Sequence, residues 1–218
     1  MRAVLLDFNG TMIFDSSLHA EAWSKIYQDL YPEDTKTFDS SVVCGPNNDA
    51  ILQNMAPFLT AAERAEWSEK KEALYRRACK TKPETLHLVK GTEEFLSYLQ
   101  ASGIPYGLAS ASIKSNIDFF FETYGLDRWF RKDQVVYDDG TYPNKGAMHL
   151  EAARRMGVDI GDCLLIEDSP GSIAHAKRVG AGCIVAIGNS APKPKLFEMG
   201  ADHYINDFSE FDCAWLQF

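Results

Sequence analysis

The feature that most restricts the fold of this chain is the regular alternation of helix-like and strand-like segments after Gly91. A helical stretch carrying Phe95, Leu96 and Leu99 stops at Gly103, and Tyr106 to Ser110 follows as a strand. Helix Ser112 to Tyr124 precedes strand Gln134 to Tyr137, and helix Gly146 to Met156 precedes strand Cys163 to Ile166. Helix Pro170 to Val179 then leads into strand Cys183 to Ile187, and His203 to Ile205 can add an edge strand. Strands joined through helices run parallel, so the pattern predicts an α/β fold with a parallel sheet and helices on both faces. Ala3 to Phe8 is a further apolar run that reads as a buried strand.

Between these parts the pattern is helical only. Ala20, Trp23, Ile26, Tyr27 and Leu30 recur at helical spacing, and Thr60-Ala61-Ala62-Glu63 has the form of a capping box opening another helix. Gly45-Pro46-Asn47-Asn48 reads as a loop, and Lys80-Thr81-Lys82-Pro83 as the return to the main domain. Residues 15–82 are therefore expected to form an inserted helical cap, and residues 1–14 with 83–218 the core.

At 218 residues and 45% hydrophobic content, the chain can build one sizeable core and a smaller unit. The net charge of −9, with Lys and Arg scattered singly, gives no footprint for nucleic acid or an anionic membrane. No apolar run approaches the ~20 residues of a membrane span, and Asp7 interrupts any signal-type start, so a cytoplasmic protein is expected. Cys44, Cys79, Cys163, Cys183 and Cys213 lack paired metal or redox spacing and read as reduced thiols.

In an open parallel sheet, ligands bind beyond the carboxyl ends of the strands. Asp7-Phe8-Asn9-Gly10-Thr11, Ser110-Ala111-Ser112 and Glu167-Asp168-Ser169 occupy such ends here, and Lys145 follows another strand just before a helix. Taken singly, each has a plainer reading. Asp7 can be a turn or cap residue, Ser110 and Ser112 helix caps, Ser169 an N-cap before Pro170, and Lys145 a surface lysine. Together they supply carboxylates, a hydroxyl and an ammonium, a set able to attack phosphorus, hold a hard cation through oxygen and neutralise a phosphoryl group.

Asp7 to Thr11 resembles the D-x-D-G-T motif of the haloacid dehalogenase superfamily. Leu108 to Ser112, Lys145, and Ile166 to Ser169 followed by Gly171 resemble its second, third and fourth motifs. The likeness extends over essentially the whole chain, including the cap with His19 and Trp23, and is nearest to the β-phosphoglucomutase-like phosphatases. It implies a Rossmann-like core and a Mg²⁺-dependent phosphohydrolase that acts on a small phosphorylated metabolite, the cap closing over the site. Asp7 would be the nucleophile that forms an aspartyl-phosphate, with Mg²⁺ held by Asp7, Asp168 and the main-chain carbonyl of Asn9. Ser110 and the Ala111 N–H would bind the phosphoryl oxygens, Lys145 would neutralise charge, and Glu167 would act one shell out or on a metal-bound water. His19 and Asn48 would face substrate from the cap, and a monomer is expected.

The sequence departs from that motif pattern at four places. Asn9 stands where the family has the Asp that serves as general acid and base, and an amide cannot transfer the proton. That function is worth roughly 10²- to 10⁴-fold, so a slow or differently assisted enzyme is expected. His19 could supply the proton. A phosphate-binding or regulatory protein with little turnover is the alternative that Asn9 favours. Asparagine in the cap loop replaces the arginine that grips a second phosphate in similar phosphoglucomutases, which weakens a mutase reading. Lys145 is followed by Gly146 rather than Pro, before a helix about two residues shorter than usual, and one extra residue separates Gly10 from Asp15. Phosphonate cleavage would need a Schiff-base lysine from the cap, for which only Lys25 or Lys71 could be suggested; haloacid cleavage needs no metal, at odds with Glu167-Asp168.

Overall fold

Strand β1 (Ala3–Leu6) is apolar on both sides of its backbone and buries both, the signature of a central strand in a parallel sheet covered on two faces. In the computed structural model, which describes residues 3–34, 47–82, 87–188 and 190–216, β1 has β2 (Tyr106–Ile113) on one side and β4 (Cys163–Glu167) on the other. Outside these lie β3 (Val136–Asp138), β5 (Cys183–Ile187) and β6 (His203–Ile205), giving a parallel sheet in the order β3-β2-β1-β4-β5-β6. The chain reverses its direction of travel across the sheet between β1 and β4. That switch point opens a crevice at the strands' carboxyl ends.

Two faces are covered. Leu5, Leu165 and Ile184 pack with Met148, Ala152 and Ala153 of α6 (Lys145–Met156) and Ile173 and Ala176 of α7 (Pro170–Arg178). Phe8 instead stacks on Phe120 of α5 (Lys114–Tyr124), ring centroids 4.2 Å apart. Ser169 caps α7 by accepting from the Ser172 N–H, with Pro170 at the first helical position, as its sequence suggests.

The clustering of contacts divides the chain into two units, Met1–Phe14 with His87–Phe218, and Asp15–Leu86. The second unit contains α1 (Ser16–Leu30), α2 (Asn48–Met55) and α3 (Ala61–Thr81), and no strand among its described residues. Trp23, Ile26, Ile51, Leu52, Ala56 and Leu59 form its core. The capping box at Thr60 is formed: its N–H donates to Glu63 Oε2 at 2.7 Å, and the Glu63 N–H to Thr60 Oγ1 at 3.3 Å. Cys44, Gly45, Pro46 and Pro83 lie outside the described residues. Cys79, Cys163 and Cys183 are buried free thiols, whereas Cys213 is exposed.

Two readings need correction. Strand β2 continues to Ile113, so Ser110 and Ser112 are strand residues and neither caps α5, whose N-cap is Ile113. Helix α6 begins at Lys145 itself, capped by Asn144, whose side chain accepts from the Ala147 N–H at 3.2 Å. Helices α4 (Thr92–Ala101) and α8 (Lys193–Met199) complete the described α-helices of this unit; α8 is short and opened by Pro192 and Pro194, and its sequence carries little helical signal.

Candidate active site

The sheet register sets the site. Leu6 pairs with Ile166, and the Asp7 N–H donates to the Ile166 carbonyl at 3.1 Å, which carries the pairing one residue beyond β1. Asp7 is thereby held beside the end of β4, where Glu167 and Asp168 follow. Asp7, Glu167 and Asp168 are all buried, and each offers a carboxylate oxygen within 4.8 Å of the others.

After Asp7 the chain turns sharply, with the Met12 N–H on the Phe8 carbonyl at 2.8 Å and the Gly10 N–H on that of Ile13 at 2.8 Å. Gly10 has φ +77°, and a Cβ there would lie 2.2 Å from Asp168 Oδ2. Only glycine permits that approach.

Lys145 Nζ lies 2.5 Å from Asp7 Oδ1 and 3.6 Å from Glu167 Oε1. Burial pushes the Asp7 carboxyl up to about 7, with the Glu167 charge adding to it against the pull of Lys145. Burial acts the same way on Glu167, but Lys145 and a hydrogen bond from His149 outweigh it and hold its carboxyl below the ordinary range. Glu167 Oε2 is buried with no hydrogen-bond partner among the described residues. Three carboxylates thus face one ammonium, with one oxygen unsatisfied, and this hard oxygen donor set fits a divalent cation.

A bulge between Ser110 and Ile113 shifts the β2–β3 register and lifts Ala111 to the surface. Ser110 is fully buried, and its Oγ accepts from the Ser112 N–H at 3.2 Å. The Ser112 hydroxyl donates to Asn9 Oδ1 at 2.7 Å. Asp168 is tied through its main-chain carbonyl, which accepts from the Ser190 hydroxyl.

His19 and Asn48 belong to the helical unit. Lys71 Nζ donates to His19 Nδ1 at 2.7 Å, and His19 Nε2 lies 3.2 Å from Asp15 Oδ2, so both ring nitrogens are engaged. The Asn48 amide donates to Ser68 and Glu72 at 3.0 and 2.7 Å. Lys25 pairs with Asp29 at 3.0 Å.

Two contacts in the sheet unit escaped sequence reasoning. Ser112 sits two residues beyond Ser110, a spacing that a bulge alone brings to Asn9. His149 follows Lys145 by four residues, the one available signal being that such positions share a helix face.

Comparison with known proteins agrees with this architecture. Residues 1–180 match the family of haloacid dehalogenase-like hydrolases. A Bacillus subtilis protein named "Putative phosphatase YhcW" is 26% identical, with 99% of this chain and 96% of that protein covered. The β-phosphoglucomutase of Bacillus subtilis is 25% identical over 99% of this chain and 94% of its own length. The solved structure of an Entamoeba histolytica HAD hydrolase, family IA, variant 3, superimposes with a TM-score of 0.90 at 27% identity, covering 99% of this chain and 97% of that one. With its motifs on the strand ends of a matching fold, this chain belongs to the haloacid dehalogenase-like hydrolases, among relatives named phosphatase and β-phosphoglucomutase.

Proposed function

We propose that the chain is a Mg²⁺-dependent phosphohydrolase of small phosphorylated metabolites working through an aspartyl-phosphate at Asp7. The observation that carries this reading is the buried cluster of Asp7, Glu167 and Asp168 with Lys145 on the Asp7 carboxylate. Mg²⁺ would be held by Asp7, Asp168 and the Asn9 carbonyl, and would supply positive charge that lets a phosphoryl dianion approach a carboxylate. The free oxygen of Asp7 attacks phosphorus while the bond to the leaving oxygen breaks. Lys145 offsets charge on Asp7 and on the transferring group. Ser110, whose oxygen already accepts from Ser112, has its hydroxyl proton to donate to a phosphoryl oxygen. Water then attacks the same phosphorus, returning the carboxylate and releasing phosphate.

Asn9 supports a restriction on substrate. Its Oδ1 takes the Ser112 hydroxyl, so the amide is oriented as a donor and cannot carry a proton in either half-reaction. Activated esters and acyl phosphates escape the need for leaving-group protonation, and sugar phosphates do not. The second reading, a phosphate-ligand binding protein with little turnover, rests on the same residue. Incubation with acetyl phosphate and Mg²⁺, followed by hydroxylamine trapping and peptide mass analysis, separates the two. Modification at Asp7 supports the enzyme; binding without any modification at Asp7 would favour the second reading.

A further inference from the structure

Lys145 and His149 stand one turn apart on α6 and converge on one atom. Glu167 Oε1 lies 3.6 Å from Lys145 Nζ and 2.8 Å from His149 Nε2. The imidazole is 2% exposed and the carboxylate 1%. Since a carboxylate only accepts, the proton of this hydrogen bond belongs to His149 Nε2. His149 Nδ1 is buried without a hydrogen-bond partner among the described residues, an arrangement suited to a bare acceptor nitrogen and not to an N–H.

We propose that His149 is a positioning residue of the phosphoryl-transfer site: its Nε2–H occupies Glu167 Oε1, so that Lys145 is committed to Asp7. The proposal rests on the reading of Asp7 as nucleophile. A buried ammonium between two carboxylates is shared according to how well each is otherwise solvated. Asp7 and Glu167 are both in low-dielectric surroundings, where a missing hydrogen bond is felt strongly. Remove the donor behind Glu167 and its Oε1 becomes the poorer-solvated oxygen, drawing the ammonium from Asp7.

The start of α6 is closely packed. Helix α6 begins at Lys145 under its Asn144 cap, and a Cβ on Gly146 would lie 3.0 Å from Val179 Cγ1, so the start of the helix sits tightly against the end of α7. The choice between Asp7 and Glu167 is left to the lysine side chain and to what occupies Glu167. If His149 were there only to fill the core beside Met148 and Ala152, an apolar side chain would do as well.

The test compares His149→Leu, which removes the donor, with His149→Gln, whose amide nitrogen can take the place of Nε2. With p-nitrophenyl phosphate and saturating Mg²⁺, we expect His149→Leu to lower kcat by at least about tenfold with KM changed less than about twofold, as for lost outer-shell partners. His149→Gln should recover kcat to within about threefold of the parent. A leucine variant that keeps its kcat, or a glutamine variant as slow as leucine, overturns the proposal. Should leucine prevent folding, His149→Asn, whose amide is too short to reach Glu167, takes its place. A readout free of turnover separates this proposal from the one on which it rests. In ¹⁵N-histidine-labelled protein, His149 should carry its proton on Nε2, and Glu167→Gln should displace that resonance. The opposite tautomer, or indifference to Glu167→Gln, overturns the positioning role even if the parent proves active. If the parent neither hydrolyses ester nor is modified at Asp7 by acetyl phosphate, the nucleophile assignment falls and the tautomer result alone decides the fate of the Glu167 contact.

Discussion

Two buried lysines, one in each unit, are surrounded by the same kinds of group, yet Asp7 beside one and Glu72 beside the other are pushed in opposite directions. Lys145 of the sheet unit meets Asp7 and Glu167, with His149 behind. Lys71 of the helical unit meets Glu72 at 2.8 Å and His19, with Asp15 behind the imidazole and the Tyr75 hydroxyl on Asp15 at 2.6 Å. In the helical unit the donors suffice. Burial pushes Glu72 up, but Lys71, His19 and the Asn48 amide outweigh it and hold the carboxyl at about 2. In the sheet unit a third carboxylate, Asp168, adds to the negative side, Glu167 Oε2 is unsatisfied, and Asp7 is pushed up to about 7. A buried ion network whose donors and acceptors balance holds a fold together; one left short of positive charge is prepared for something it does not itself contain.

The comparison breaks most visibly at Asp7. Replacement by Asn should lower phosphate-ester turnover by at least about 10³-fold, because the proposed mechanism makes the carboxylate both nucleophile and cation ligand. Retention of activity in a steady-state assay would remove Asp7 from the mechanism. The matching change in the helical unit, Lys71→Met, should act on stability, costing about 3–5 kcal/mol by leaving Glu72 buried and uncompensated. Urea unfolding measures that loss, and Lys71→Met combined with Glu72→Leu should recover much of it.

Asp168→Ala should weaken Mg²⁺ binding by about 10²-fold or more, exceeding the usual loss of an outer-shell partner. Calorimetric titration showing equal affinity would exclude it as a ligand. Asn9→Asp should raise turnover of a sugar phosphate by roughly 10²-fold and of p-nitrophenyl phosphate by less, since the activated leaving group needs no proton. Equal gains on both substrates would place the limitation in the hydrolysis of the aspartyl-phosphate. The smallest effect concerns pH. Glu72 is held at about 2, below its unfolded value, so its stabilisation is present above about pH 4.5 and lost as pH falls toward 2. Glu72→Gln should flatten that acid limb in thermal melts.

How much of this could be read from the residues depended on whether the signal was periodic. Strand β5 was legible to the residue because Cys183 to Ile187 is an apolar run between clear breaks, and the shorter β6 at His203 to Ile205 was legible as an edge strand. Strand β2 was cut short at Ser110, since Ser110-Ala111-Ser112 looks like the capped start of a helix and becomes strand through pairing with β3. The strand-end carboxylates were visible because parallel sheets put ligands at those ends. The contacts of Ser112 with Asn9 and His149 with Glu167 were not, for each joins residues on separate elements whose meeting depends on register and helix rotation.

The central place of β1 also bears on how the protein is made. Its neighbour on one side, β2, follows about half a chain later, while β4, which brings Glu167 and Asp168, follows later still. On the proposed mechanism, the Asp7–Glu167–Asp168 cluster stays incomplete until the roughly 160 residues between Asp7 and Glu167 have been added and β4 has docked beside β1. If the cluster holds a cation as proposed, cation affinity becomes a clock for folding: it appears only with the long-range pairing of β1 and β4, and a product stalled before that pairing does not acquire it.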